Sequence, residues 1–287
     1  MQKDIVNAIR NRTSIRTYKE ISLSDEHKGM IENFIKNEIN KTIMSNIRFE
    51  IIDIEDEEFE NTKKLSSYGI IKGAKTYIAC IIKKNASIVD LGYAFEQVVL
   101  FATNNNIGTC WMGGTFNRSA FSIAAGLKED EILPIISPLG YEAEKPSRLS
   151  LIMRYLAKSD KRLPFEELYF KNDAFKPFDK EKSGKIAEVL ELARIAPSAS
   201  NKQPWRVVRD SEGDYNFYIE RTKNYSGNAL GYDIQLLDIG ITMCHFDLST
   251  KEIGIKGSFK KLDKEDINFK ESRIFEYVST FKTESKV

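Results

Sequence analysis

The chain has 287 residues and 41% hydrophobic content, enough for a sizeable core in one or two domains. Its 43 basic and 42 acidic residues nearly balance at a net +1, which excludes the dominant basic surface that general nucleic-acid affinity needs. No apolar run reaches the length that spans a bilayer, and 30% charged residues suit a soluble protein.

The opening "MQKDIVNAIRNRTSIR" lacks the unbroken apolar stretch of a signal peptide; Ile5, Val6 and Ile9 read as the buried stripe of a short helix. Next, Ser24 is placed to cap a helix whose stripe is Ile31, Phe34, Ile35 and Ile39. The β-branched and aromatic runs "IRFEIIDI", "KTYIACIIKK", "LPIISPLGY", "WRVVRD", "YNFYIER" and "IFEYVSTF" predict strands. Long helical stretches, "SIVDLGYAFEQVVLFATNNN" and "LLDIGITMCHFDLSTKEIG", lie between them, and Asp179 is expected to cap a helix bearing Ile186, Val189, Leu190 and Ala193.

Cys80, Cys110 and Cys244 stand singly in apolar company, so buried reduced thiols and a cytoplasmic location are expected. His27 reads as solvent-facing and His245 as a hydrogen-bonded core residue. With no other histidine, a Ser-His-Asp triad and a histidine-rich metal site are both excluded, and no metal is expected. Neither G-x-G-x-x-G nor a P-loop is present. If the chain is an enzyme, a bound cofactor carries its chemistry.

The order of elements runs through twice. A shift of 148 residues carries Asp238 to Asp90, Gly240 to Gly92, Ile255 to Ile107 and Phe259 to Trp111. The reading is a degenerate duplication: a first half over 1–150, an extended surface connector over 151–174, and a second half over 175–287.

Three stretches suit a phosphate-bearing ligand. In "RNRTSIRTY", Arg12, Ser14 and Arg16 alternate, so extended backbone puts two guanidinium forks and a hydroxyl on one face. "NIGTCWMGGTF" offers Gly113 and Gly114 for close backbone approach, and "EKPSR" adds Lys145 and Arg148 after a strand. A fourth stretch, "APSASNKQPW", gathers Pro197, Ser198, Ala199, Ser200, Asn201 and Gln203 between a helix and a strand. Such a loop suits a flat polar ligand.

Together these residues resemble the nitroreductase family of FMN-binding flavoproteins. The family's R-x-S-[IV]-R-x-[YF] stands as "RTSIRTY", its G-T-C-W-[IM]-G-G as "GTCWMGG", its L-G-Y with a basic arm as "LGYEAEKPSR", and its P-S-A-G-N-x-Q-P-W as "PSASNKQPW", with Ser200 replacing the glycine. In ordinary members the first and last of these motifs lie one helix apart in a half-sized subunit; here Arg16 and Pro197 are 181 residues apart. Family homodimers build each flavin site across their interface. The resemblance therefore implies an α+β chain of two tandem half-domains, each a mostly antiparallel sheet with flanking helices, fused into an intramolecular pseudo-dimer and monomeric in solution.

It further implies one FMN per chain. Arg12, Ser14, Arg16, Lys145 and Arg148 would neutralise the phosphate, Ser198 and Asn201 would meet the ribityl chain and pyrimidine edge, and Gln203 would assist. A peptide N–H at Gly113 or Gly114 would reach flavin N5. Trp111 lies within the motif and counts among the cofactor-binding positions, although core packing is the reading preferred for Trp111 and Trp205. Both phosphate arginines are taken as ligand contacts whose loss leaves the fold intact.

The implied activity is an oxidoreductase passing electrons from NAD(P)H through FMN to an electron-poor small molecule, a nitroaromatic or a quinone, with no nucleic-acid or membrane partner. The alternatives are a specialised family chemistry, such as reductive dehalogenation or flavin breakdown, and a flavin-binding module without turnover. The mirror site has only lysines near Lys176 to Lys182 and no proline-serine loop near Thr42 to Asn46, so it is expected to be lost. "TKNYSGNALGYDIQ" is the candidate lid.

Overall fold

The computed structural model describes residues 4–39, 45–54, 70–156, 161–171, 176–223, 225, 231–269 and 273–284. The chain divides into two compact units, Met1–Asp160 and Lys161–Val287.

In the first unit, α1 (Ile5–Asn11) buries Ile5, Ala8 and Ile9. Helix α2 (Asp25–Glu38) starts where the Ser24 hydroxyl accepts the His27 N–H, satisfying one of the donors that a helix start leaves unpaired. Its stripe buries Ile31 and Phe34. Strand β1 (Ile47–Asp53) pairs with β2 (Thr76–Lys83), and all of β2 except its last residue is buried. That burial explains a run without polar alternation. Ser87 caps α3 (Ile88–Asn104); then follow β3 (Gly108–Thr109), α4 (Arg118–Ala124), β4 (Glu131–Gly140) and α5 (Arg148–Leu156). Among the described residues the sheet order is β1-β2-β4-β3, every pair antiparallel.

The second unit opens with α6 (Phe165–Leu168), β5 (Tyr169–Lys171) and β6 (Lys176–Pro177). Helix α7 (Lys185–Arg194) leads through a turn of 3-10 helix (Ala199–Asn201) to β7 (Trp205–Arg209) and β8 (Tyr215–Glu220). Asp233 caps α8 (Ile234–Glu252), which is followed by β9 (Gly257–Lys260), β10 (Ile267–Phe269) and β11 (Arg273–Thr283). The path β7-β8-β11 is antiparallel, with β9 and β10 both on β11 and β5 joined parallel to β7. Each unit thus has a helix, two antiparallel strands, a long helix, a short strand and a long strand. The order β1-β2-β4-β3 recurs as β7-β8-β11-β9.

All six expected strands form, and the three cysteines are buried. His245 is a core residue, its Nδ1 3.0 Å from the Leu192 carbonyl. Among the described residues, no helix is long and apolar enough to cross a membrane.

Three expectations need correction. His27 does not simply face solvent: its Nδ1 lies 2.8 Å from the Tyr141 hydroxyl, because that residue follows β4 beside the start of α2. Asp179 does not cap α7, whose N-cap is Gly184; it closes the preceding turn by accepting from the N–H groups of Glu181 and Lys182. The stretch 151–174 is not one surface connector. Its early part continues α5, while Phe165, Leu168, Tyr169 and Phe170 are buried in the second unit, where apolar side chains gain most by leaving water. Of this stretch, 157–160 and 172–174 lie outside the described residues, as do Thr42 to Met44 and, within the candidate lid, 224 and 226–230.

Candidate functional site

In the first unit, the residues from Arg12 to Tyr18 form a seam between the other two motifs. Ser14 bridges Thr109 in parallel, and Tyr18 bridges Glu142 in antiparallel fashion. Ile15 N–H donates to the Thr109 carbonyl at 2.8 Å, and Ala143 N–H to the Thr17 carbonyl at 3.0 Å. Ser147 N–H reaches the Thr17 hydroxyl at 2.9 Å. "RTSIRTY" therefore lies against "GTCWMGG" on one side and "LGYEAEKPSR" on the other.

Glycines permit this closeness. A Cβ on Gly108 would stand 3.1 Å from Ile15, and one on Gly73, at φ +82°, only 2.2 Å from the Tyr18 carbonyl oxygen.

The three alternating side chains converge on one neighbour. Burial pushes the Cys110 thiol up, while Arg16, Arg12 and a hydrogen bond with Ser14 all pull it down. Arg16 is half-buried, with Nη1 3.4 Å from the Ser14 carbonyl. Arg12 is different: its side chain is only 8% exposed and its Nε lies 3.9 Å from Oε1 of the fully buried Glu96. That Nε makes no hydrogen bond within the protein. Burial lowers the Arg12 guanidinium's pKa, with Glu96 opposing. Lys145 and Arg148 are exposed.

Glu96 also accepts the Trp111 indole N–H at 2.8 Å, and the Trp111 ring meets Phe95 edge-on at 4.6 Å. Trp111 is thus packed and anchored inside its own unit. Arg118 Nη2 donates to the Gly113 carbonyl at 2.7 Å. In a trans peptide the N–H points opposite to the C=O, so the Gly114 N–H is directed away from Arg118. Gly114 is exposed and Gly113 half-buried.

In the second unit, helix α7 ends before Pro197 and the chain tightens into a polar loop. Ser198 Oγ accepts the Gln203 N–H at 2.9 Å, and Asn201 N–H donates to the Ser198 carbonyl at 2.9 Å. Ser200, Asn201 and Gln203 all have positive φ, at 48°, 55° and 50°. The left-handed region costs a non-glycine residue about 1 kcal/mol, so the surrounding bonds must hold them there. Ser200 stands where the motif has glycine, the residue that adopts this conformation freely.

Residues 161–163 strap this loop. Asn201 Nδ2 donates to the Lys161 carbonyl at 2.8 Å and its Oδ1 accepts from Arg162 Nη1 at 3.2 Å. Leu163 N–H donates to Gln203 Oε1 at 2.8 Å, and Gln203 is buried. Trp205 is fully buried. Pro197, Ser198 and Ala199 are half-buried and Ser200 is exposed, its hydroxyl 3.2 Å from that of Tyr225. Of the lysines near the mirror position, Lys180 pairs with Glu191 at 3.1 Å and Lys182 with Asp179 at 3.3 Å.

The profile of a family described as "Putative TM nitroreductase" matches residues 4–250. The chain belongs to this nitroreductase family. No curated protein matches it. A crystal structure described as a "putative nitroreductase" of Thermotoga maritima shares 22% identity, covers 98% of this chain and 94% of its own, and has a TM-score of 0.58. That likeness speaks to fold: this is a nitroreductase-like α+β architecture. A nitroreductase family protein of Clostridium novyi aligns over 50% of this chain and 87% of its own, at 16% identity and TM-score 0.42. An FMN-dependent nitroreductase of Clostridium difficile aligns over 50% and 90%, at 18% identity and TM-score 0.41.

Sequence reasoning missed Glu96, Arg118, Asp238, Tyr225 and the strap at 161–163. A signal existed for two of them. Glu96 and Asp238 are acids set in apolar helical stretches, "YAFEQVV" and "LLDIGITM", where burial forces a charge to find a purpose.

Proposed function

We propose that this nitroreductase family member is an FMN-dependent oxidoreductase that takes electrons from NAD(P)H and delivers them to an electron-poor small molecule. The observation that carries the reading is the seam at Arg12–Tyr18, whose backbone pairing sets two arginines and the Ser14 hydroxyl between the "GTCWMGG" stretch and the Lys145–Arg148 arm. The donor set fits a phosphate monoester: fixed cations, a hydroxyl and backbone N–H groups.

Bound FMN supplies two-electron chemistry at its N5. The rest is done by the chain. Arg16, Lys145, Arg148 and Ser14 bind the phosphate, and Arg12, already balanced in part by Glu96, adds positive potential from below. Arg118 orients the Gly113–Gly114 peptide so that an N–H faces outward, which favours Gly114 over Gly113 as the donor to the ring. In the second unit, Ser198, Ala199 and Ser200 provide the ribityl and ring contacts implied by the motif. Asn201 takes part while tied to Lys161 and Arg162. We place this work in one pseudo-dimeric chain, cytoplasmic as its three buried thiols suggest, with a single FMN.

The test is stopped-flow bleaching of the bound flavin by NADH and NADPH, followed by reoxidation with nitroaromatic and quinone acceptors. Bleaching and acceptor-dependent recovery are expected. A protein that purifies without flavin and does not bind it in titration refutes the proposal, while flavin that neither nicotinamide reduces makes the chain a binding module.

A further inference from the structure

Asp238 is a carboxyl in a place that disfavours one. It lies on α8, five residues after the Asp233 cap, and is only 1% exposed. Its Oδ1 accepts the Ala199 N–H at 2.9 Å, and its buried Oδ2 has no hydrogen-bond partner in the protein.

Asp233, the charged group that acts on it, caps its own helix; on two elements packed against α8, Arg194 of α7 pairs with Glu191 at 2.5 Å and Arg206 of β7 with Glu220 at 2.7 Å. Tyr225, from the segment after β8, contributes a hydroxyl bonded to Ser200. The same register position in the first unit holds Asp90, which is exposed. The acid is therefore buried in the unit whose polar loop it touches.

We propose that Asp238 is a positioning residue that fixes the Pro197–Asn201 loop by holding the Ala199 N–H. The loop needs such a fastening, because the residues directly after Ala199 enter the left-handed region. Burial pushes the Asp238 carboxyl well above the usual carboxylate range, with Asp233 adding to the shift and the Ala199 N–H opposing it. A carbonyl-type oxygen is all the Ala199 N–H requires, so charge at this position adds desolvation cost without adding a bond.

This inference does not need the cofactor, and only its second readout rests on the proposed function. The primary readout is amide hydrogen exchange of the segment 196–204 in the flavin-free full chain. Asp238→Asn, isosteric and neutral, is expected to keep protection within about threefold of the parent, whereas Asp238→Leu and Asp238→Ala, which cannot accept, are expected to lose tenfold or more. Parent-like protection in a folded apolar variant overturns the proposal. So does an Asn variant that exchanges as fast as the parent unfolded at this loop, and this outcome is decisive even if both apolar variants fail to fold. In the second readout, FMN titration should weaken at least tenfold in the apolar variants and little in Asp238→Asn. A parent that binds no FMN would refute the proposed function and leave the exchange result standing.

Discussion

Arg12 and Glu96 form a buried ion pair, with Nε 3.9 Å from Oε1 and both side chains almost removed from water. Their partnership separates the two arginines that the sequence treated alike. Arg12→Ala leaves a buried carboxylate without its cation, which costs about 3 kcal/mol of stability in addition to any effect on ligand. Arg16→Ala removes a half-buried side chain and should change stability by no more than about 0.5 kcal/mol. If both contact the phosphate, each loss weakens FMN binding by about one to two orders of magnitude, from a charge-assisted bond of roughly 1.5–3 kcal/mol. Urea denaturation of the flavin-free variants, beside flavin titration, checks both halves. Equal stabilities for the two variants would mean that the Glu96 pair contributes nothing.

Ser200 offers a second test. At φ 48° a serine bears the left-handed cost that glycine escapes, and its hydroxyl is 3.2 Å from that of Tyr225. Ser200→Gly should be close to neutral, within about 1 kcal/mol, as relief of strain offsets loss of the bond. Ser200→Val loses the bond and puts a β-branched residue at positive φ, so it should destabilise by about 2 kcal/mol or more. Thermal unfolding of the two variants gives the order; a Val variant as stable as the Gly variant would contradict the backbone conformation.

The pair Arg48 and Glu131 predicts acid behaviour. Arg48 reaches both carboxylate oxygens at 2.8 Å, and the Lys128 N–H adds a third bond at 2.9 Å. These bonds hold the Glu131 carboxyl down at about 2, against an ordinary value of 4.5. A depressed folded-state value stabilises above the unfolded one, so the contribution is complete above pH 4.5 and is lost as pH falls through about 2. Glu131→Gln should therefore lower stability at pH 7, by about 1–2 kcal/mol, and flatten the decline between pH 5 and 2. Denaturation curves across that range decide it, and an unchanged slope in the variant would remove Glu131 from the account.

Stoichiometry tests the pseudo-dimer. One FMN per chain and a monomer near 32.9 kDa are expected, because near the mirror position Lys180 and Lys182 are paired with their own acidic neighbours and lack the alternating spacing of Arg12, Ser14 and Arg16. Absorbance of released flavin and sedimentation provide the numbers. Two flavins per chain, or a tight dimer that loses flavin on dissociation, would count against fusion with one retained site.

The amino-acid sequence by itself determined the regular elements and their repetition. Six strands were legible because β-branched and aromatic runs favour a pleated, buried surface locally, and Ser24 was legible as a cap because capping acts within one turn. The motifs were legible too, since their residues are contiguous.

Only the tertiary structure decided what distant burial controls. The short strands β3, β5, β6, β9 and β10 are too brief to carry a periodic signal and form because a neighbouring strand offers unpaired backbone. The arm beyond Pro164 joins the second sheet because Leu168, Tyr169 and Phe170 lose water there. The roles of Glu96 under Arg12 and Trp111, of Asp238 beneath Ala199, and of the strap on Asn201 depend on contacts 15 to 84 residues apart in sequence. No local pattern encodes such contacts, because they are selected by the fold that buries them.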